Sequence, residues 1–248
     1  MRNRAVLFLL HTLSWLLLSC DTCHGVESDI RCLETLKIQL TDPHDYLCSW
    51  SFASKNADEG FICNFKGIEC WHPDESRVLN ISLSNMGLQG QFPSGLKNCT
   101  SLTGLDLSNN DLSESLPVNI DEIIPFVVTL DLSSNNFSGI LPEKLGNITF
   151  LNKLNLQHNQ FSGEIPWQVG RLARLTTFNV ADNPLSGQIP TFTNKSFTAA
   201  NFDDAGLCGK PLRDCVGPPK KSLTGVIIGA AKDEDWKGNK WAKRNKAI

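Results

Sequence analysis

Residues 130–142 read Leu130-Asp131-Leu132-Ser133-Ser134-Asn135-Asn136-Phe137-Ser138-Gly139-Ile140-Leu141-Pro142. Downstream the same text returns: Leu154-Asn155-Leu156 leads to Asn159 and then Gly163-Glu164-Ile165-Pro166. Phe178-Asn179-Val180 leads likewise to Asn183 and Gly187-Gln188-Ile189-Pro190. Upstream, Leu105-Asp106-Leu107 leads to Asn110 and to Glu114-Ser115-Leu116-Pro117, with glutamate standing where the other units have glycine. Ile81-Ser82-Leu83 opens the series, with Met86 at the asparagine position and Gly90-Gln91-Phe92-Pro93 after it. A period of about two dozen residues marks a stacked repeat rather than a single globular core.

Each part of the unit has a physical task. The L-x-L triplet is a short strand whose alternate side chains point inward, and each strand pairs with that of the next repeat. The asparagine that follows is buried and must bond the backbone of neighbouring turns, because each unsatisfied buried group costs about 1–3 kcal/mol. Met86 is tolerated at the edge of the array, where the ladder has one neighbour only. The Gly-x-Ile-Pro segment turns the chain onto the convex side, since proline fixes φ and glycine permits close approach. Recurrent proline excludes an amphipathic helix. The reading is an α/β solenoid, a right-handed superhelix of about five repeats spanning residues 77–197.

The flanks set the compartment. Arg2 and Arg4 precede two apolar runs, Ala5 to Leu10 and Leu13 to Leu18, and small residues follow up to Gly25. That order predicts a secretory signal over residues 1–25, with a membrane anchor as the competing reading. Cleavage there removes Cys20 and Cys23 and leaves seven of the nine cysteines, an odd number in an oxidising compartment. Sequons at Asn80, Asn98, Asn136, Asn147 and Asn194 are glycosylation candidates. Residues 26–76 form an N-terminal cap: Asp29 caps a helix from Ile30 to about Leu40, with Leu33, Leu36, Ile38 and Leu40 on its apolar faces and Leu47 and Trp50 covering the first repeat. Residues 198–216 form the C-terminal cap. Cys63 with Cys70, and Cys208 with Cys215, are read as disulfides locking the two caps. A zinc site using His72 competes poorly with that reading, given the wide cysteine spacing. Cys32, Cys48 and Cys99 stay unassigned: a buried thiol is the simplest reading of Cys99, while Cys48 or Cys32 could pair with it, with each other, or stay free.

L-x-L-x-x-N-x-L/F-S-G-x-I-P resembles the plant-specific class of leucine-rich repeat, found in receptor kinases, receptor-like proteins and polygalacturonase-inhibiting proteins. The caps narrow the resemblance. Ile30-Arg31-Cys32-Leu33, Phe61 to Trp71 and Gly206-Leu207-Cys208-Gly209-Lys210-Pro211-Leu212 look like the catalytically impaired receptor kinases that bind the co-receptors associated with the brassinosteroid receptor. The resemblance implies a non-catalytic, cell-surface or secreted regulator whose partner is a co-receptor kinase ectodomain in immune or hormone signalling. Cys48 departs from the serine expected before Trp50. Past Lys220-Lys221, the run from Ser222 to Ala231 looks like the start of the family's membrane helix, yet it is about half the ~20 apolar residues that a span needs. Residues 217–248 are therefore expected to be a disordered tail carrying a remnant of a span and a juxtamembrane segment, with no stable membrane span in this chain.

Composition argues against other classes. Asp and Glu number 26 against 23 Lys and Arg, so no broad basic field exists for nucleic acid. No nucleophile motif or phosphate-cradling loop appears, and neither catalytic residue, metal nor cofactor is expected. Partner-binding candidates fall in two sets. On the concave face, Gly104, Ser108, Ser133 and their neighbours are read as solvent-facing, followed by Asn152, Lys153, Asn155, Gln157 and His158, then Thr176 and Asn179. The second set is the column preceding each repeat's opening leucine or its equivalent, read as Thr100, Pro125, Phe150 and Arg174, where an aromatic beside an arginine has the composition of an interface hot spot. A secreted inhibitor of pathogen wall-degrading enzymes is the alternative function.

Overall fold

In the computed structural model, residues 21–53, 60–192, 197–204 and 206–215 are described. The signal segment up to residue 20, the Asn194 sequon and the tail at 217–248 lie outside them.

The L-x-L triplets are strands, each short because the turn residues recur so soon. β1 (Ile68–Cys70), β2 (Val78–Ser82), β4 (Gly104–Asp106), β6 (Thr129–Asp131), β8 (Lys153–Asn155) and β10 (Thr177–Asn179) form one six-stranded sheet in that order. Only β1 runs antiparallel to its neighbour. The parallel register aligns Gly104, Thr129, Lys153 and Thr177 in one row and Asp106, Asp131, Asn155 and Asn179 in the next.

The Gly-x-Ile-Pro region does more than turn. β3 (Gln89–Gly90), β5 (Asp111–Ser115), β7 (Asn136–Ile140) and β9 (Gln160–Ser162) build a second, four-stranded parallel sheet. Sequence reading missed it because these segments are polar and lack the alternation of a half-buried strand. Gly139, Gly163 and Gly187 adopt φ of 76°, 77° and 88°, and Glu114 is held at 70° in the equivalent place. After each proline, a short 3-10 turn such as Glu143–Asn147 or Trp167–Arg171 returns the chain to the next repeat; Ile120–Ile123, helix α2, does so in the second crossing.

The interior is stacked leucine, each fully buried side chain contributing about 1.5–3 kcal/mol. Leu83, Leu107, Leu132 and Leu156 are wholly buried, and Phe137 stacks on Phe161 with ring centroids 6.2 Å apart. The asparagine ladder runs in one direction. Asn135 accepts a hydrogen bond from the Leu112 amide at 3.0 Å and donates to the Leu107 and Leu132 carbonyls. Asn159 and Asn183 repeat this on Phe137 and Phe161. Asn110 bonds the amides of both Met86 and Leu88, so each asparagine satisfies the preceding repeat. Met86 stands in the first repeat, one step before the first of these asparagines.

Helix α1 spans Asp21–Gln39 and crosses the boundary set at residue 25. Asp29 is not its N-cap. It lies inside the helix, fully buried, and accepts a hydrogen bond from the Val78 amide at 2.8 Å. A capping role needs a helix that begins at residue 30, and the helix begins earlier. Ile38 is 82% exposed rather than packed, because Leu36 and Leu40 take the inward positions. Trp50 is buried against Phe65 and donates its indole N–H to the Lys66 carbonyl. Thr41 pairs with Gln89, covering the free edge of the second sheet. At the other end, β11 (Ser186–Gln188) pairs with β12 (Gly206–Cys208), Phe178 packs on Phe192, Phe197 and Phe202, and Asp204 accepts from the Asn183 amide.

Cys63 is bonded to Cys70 and Cys208 to Cys215. Cys99 is no buried thiol: it is bonded to Cys32, tying α1 to the first repeat, and Cys48 is the free, exposed cysteine. Among the described residues, no helix is long and apolar enough to cross a membrane.

Candidate functional site: an aromatic and arginine edge

The concave candidates are arranged as pairs that consume much of one another's bonding capacity. Asn152 donates to the Arg174 carbonyl and accepts from the Thr176 hydroxyl at 2.9 Å. Lys153 and Asn155 both bond Asp131 Oδ2, at 3.0 and 3.1 Å; burial works to raise the Asp131 carboxyl, but the bonds from Ser133, Asn155 and Lys153 together hold it below its ordinary range. Asn179 donates to the Gln157 side chain, and His158 Nδ1 lies 3.1 Å from Asp182 Oδ2. The His158 backbone is left-handed, with φ of 53°, as are Asn85, Asn109, Ser134 and Asp182 at the same point of the other repeats. Gly104, Ser108 and Ser133 are buried rather than solvent-facing. Asp106 and Asp131 accept from the Ser108 and Ser133 hydroxyls at 2.6 Å and draw them in.

The edge set is open. The buried residues that open the repeats are Leu102, Val127, Leu151 and Leu175. The position immediately before them is therefore Ser101, Phe126, Phe150 and Arg174, not the Thr100 and Pro125 read from the sequence. At Phe126 the slip arose because Val127 opens its repeat in place of leucine. Phe126 is 50% exposed and Phe150 40%, their centroids 6.1 Å apart, and the Arg174 guanidinium sits 5.2 Å above the Phe150 ring. Toward the N-terminus the Trp71 indole donates to the Ser101 carbonyl, Arg77 Nε donates to the Ser101 hydroxyl, and Arg77 lies 5.5 Å over the Trp71 ring. One position on successive repeats thus carries aromatic rings and guanidinium groups, the residues that dominate protein interfaces. Phe126, Trp71 and Arg77 went unnoticed in the sequence, and only strict alignment on buried openers reveals Phe126.

The sequons sit in different settings. Asn136 and Asn147 are exposed and Asn98 is half-buried, whereas Asn80 lies in β2 with its amide donated to Glu69 Oε2 at 2.6 Å. No group of three or more His, Cys, Asp or Glu placed to hold a metal occurs among the described residues.

Stacked repeats, a disulfide-locked cap at each end and an exposed aromatic and arginine edge define a plant leucine-rich-repeat ectodomain. The leucine rich repeat N-terminal domain model matches residues 26–71, and the leucine rich repeat model matches 101–123, 126–148 and 150–172. The chain belongs to the leucine-rich-repeat receptor-like kinase family, as a relative of the inactive kinase BIR2 of Arabidopsis thaliana. It is 50% identical to BIR2 over 206 residues, 82% of this chain and 34% of that protein. A probable receptor-like serine/threonine kinase of the same plant is 46% identical over 81% of this chain and 34% of its own length. The chain thus spans about a third of these curated relatives. Among solved structures, the BIR2 ectodomain is 47% identical with a TM-score of 0.73, and this chain covers 98% of it with 75% of its own length. A chain of the Arabidopsis BIR3–SERK2 complex is 44% identical with a TM-score of 0.71, covered completely by 76% of this chain. The solved BIR2 relative is an ectodomain, the portion of a receptor on the outer side of the membrane.

Proposed function

We propose that this domain is a non-catalytic regulator at the plant cell surface, or secreted from it, that engages the ectodomain of a SERK-type co-receptor kinase. Phe126, Phe150 and Arg174 form the centre of the contact, and Asn152, Lys153, Asn155, Gln157, His158, Thr176 and Asn179 border it. The observation that carries the reading is the exposed stack of Arg174 on Phe150 with Phe126 beside it. Nothing in the fold requires those three side chains to be aromatic or cationic. The solved BIR3–SERK2 pair supports the choice of partner. Occupation of a co-receptor ectodomain would withhold it from ligand-sensing receptors, which regulates immune or growth signalling without a reaction. Caps fall at residues 26–76 and 198–216, with the repeats between them, and Asn98, Asn136 and Asn147 accept glycans. The test is calorimetry or surface plasmon resonance between the mature glycosylated domain and a SERK-type ectodomain. Micromolar or tighter binding is expected. A folded sample that does not bind refutes the assignment.

A further inference from the structure

On the concave sheet, at the second repeat, lies a cavity of about 280 Å3 lined by Asn80, Ser82, Gly104, Leu105, Asp106, Thr129, Asp131 and Lys153. Gly104 lies in its lining and leaves room for the Asn80 side chain. In the same row the next repeats carry Thr129, Lys153 and Thr177, and a Cβ on Gly104 would come within 2.3 Å of the Asn80 side-chain oxygen.

The molecule itself shows what one rung of this sheet holds. Asp131 takes the Lys153 ammonium, which reaches from the following repeat to Oδ2 at 3.0 Å. Asp106 occupies the same place one repeat earlier, in register with Asp131, and its Oδ1 is bonded to Ser108 as that of Asp131 is bonded to Ser133. The residue in line with Lys153 is then Thr129, too short to reach across and without charge. Asp106 thus has the anchoring of its neighbour without the cation. Two carboxylates and one ammonium line the space, leaving one unit of negative charge uncompensated.

We infer that this cavity receives the side chain of a lysine from a protein segment laid across the concave face, its ammonium bonding Asp106 as that of Lys153 bonds Asp131. The cavity shares Lys153 with the border of the proposed co-receptor contact but none of its aromatic centre, and it does not rest on the co-receptor reading. Lysine fits better than arginine because the filled rung is built for a single ammonium on an alkyl stem. A charge-assisted bond to a half-enclosed carboxylate is strong enough to fix register between two chains.

The experiment is saturation-transfer NMR with N-acetyl-lysine-methylamide as the probe and its uncharged norleucine counterpart as the control. The lysine probe is expected to bind with its terminal methylenes closest to the protein, and norleucine is expected not to bind. Asp106→Asn keeps the acceptor for Ser108 while removing the charge, and should weaken binding about tenfold. Thr129→Lys supplies an internal ammonium and should abolish it. Thermal unfolding of both variants confirms that they are folded. Equal transfer to norleucine, unchanged binding in Asp106→Asn, or undiminished binding in Thr129→Lys would each overturn the assignment. Peptide mapping of the same sample is expected to find Asn80 without a glycan, which the inference requires because Asn80 lines the cavity. A glycan there would cover the cavity and overturn the inference equally.

Discussion

The guanidinium of Arg174 lies 5.2 Å from the centre of the Phe150 ring, each group contributed by a different repeat. Contacts of this kind are worth about 0.5–1 kcal/mol at exposed sites and more when a partner excludes water. Phe150→Ala and Arg174→Glu are therefore expected to leave the melting temperature nearly unchanged and to weaken co-receptor binding by about 2 kcal/mol or more each, roughly thirtyfold. Phe126→Ala should follow the same pattern with a smaller loss, while Pro125→Ala should lose little. Titrating each variant against the same ectodomain checks the ranking, and a neutral Phe150→Ala would place the interface elsewhere.

Asn135 carries four backbone groups on one side chain, the Leu112 amide and the Leu107, Leu132 and Ser133 carbonyls. Asn135→Ala strands the Leu112 amide and the Leu107 and Leu132 carbonyls, at about 1–3 kcal/mol for each group left unsatisfied. A loss of about 3 kcal/mol is expected in chemical denaturation. Gln160→Ala, exposed in the adjoining strand, should stay within about 0.5 kcal/mol.

Asp29 predicts an unusual response to acid. Burial raises its carboxyl from 3.8 to about 6, against the bonds from the Val78 and Thr100 amides and the nearby Arg77 charge. Between those pH values the folded chain keeps a proton that the unfolded chain has released. Stability from this group therefore falls as pH rises through the window and levels off above it. Asp204 at the opposite cap is raised to about 6 as well, first by burial and then by Asp182 and Asp203. Asp29→Asn should melt higher than the native protein at pH 7, the two converging toward pH 4. A variant that melts lower at pH 7 would show that the carboxylate's amide bonds outweigh its burial.

Glu114 stands at φ 70° where the neighbouring repeats place glycine. A left-handed conformation costs a residue with a Cβ about 1–2 kcal/mol, partly offset by the greater freedom glycine has when unfolded. Glu114→Gly should stabilise the domain by about 1 kcal/mol, read from the shift in denaturation midpoint at constant slope.

Much of the architecture was legible because its period is written in residues with one physical use. Leu130, Leu132 and Asn135 announce strand, core and ladder together, and the Gly139 and Pro142 pair marks the crossing. The second sheet was hidden, since Ser113, Ser138 and Ser162 show no apolar alternation and pair through backbone alone. Helix α1 was read nine residues short, because Asp29 looks like a cap until a partner from β2 is known. The Cys32–Cys99 bond joins positions 67 residues apart, and no local spacing encodes it. At the edge, Phe150 and Arg174 were visible as a column, but Phe126 was displaced by one position where valine opens the repeat. The paired concave residues looked free because their partners sit in the adjacent repeat.

The ladder has a direction, and the direction matters for a chain made from its N-terminus. When the repeat containing Leu107 and Leu112 has been synthesised, its buried carbonyl and amide still await Asn135, about two dozen residues behind. Every repeat is born incomplete and is sealed by its successor, so assembly advances like a zip whose slider is the newest asparagine. Asp204 is the final tooth, giving the Asn183 amide an acceptor after the repeats end. A ribosome that stopped before Asp204 would release a domain correct in every earlier repeat and still open at the last.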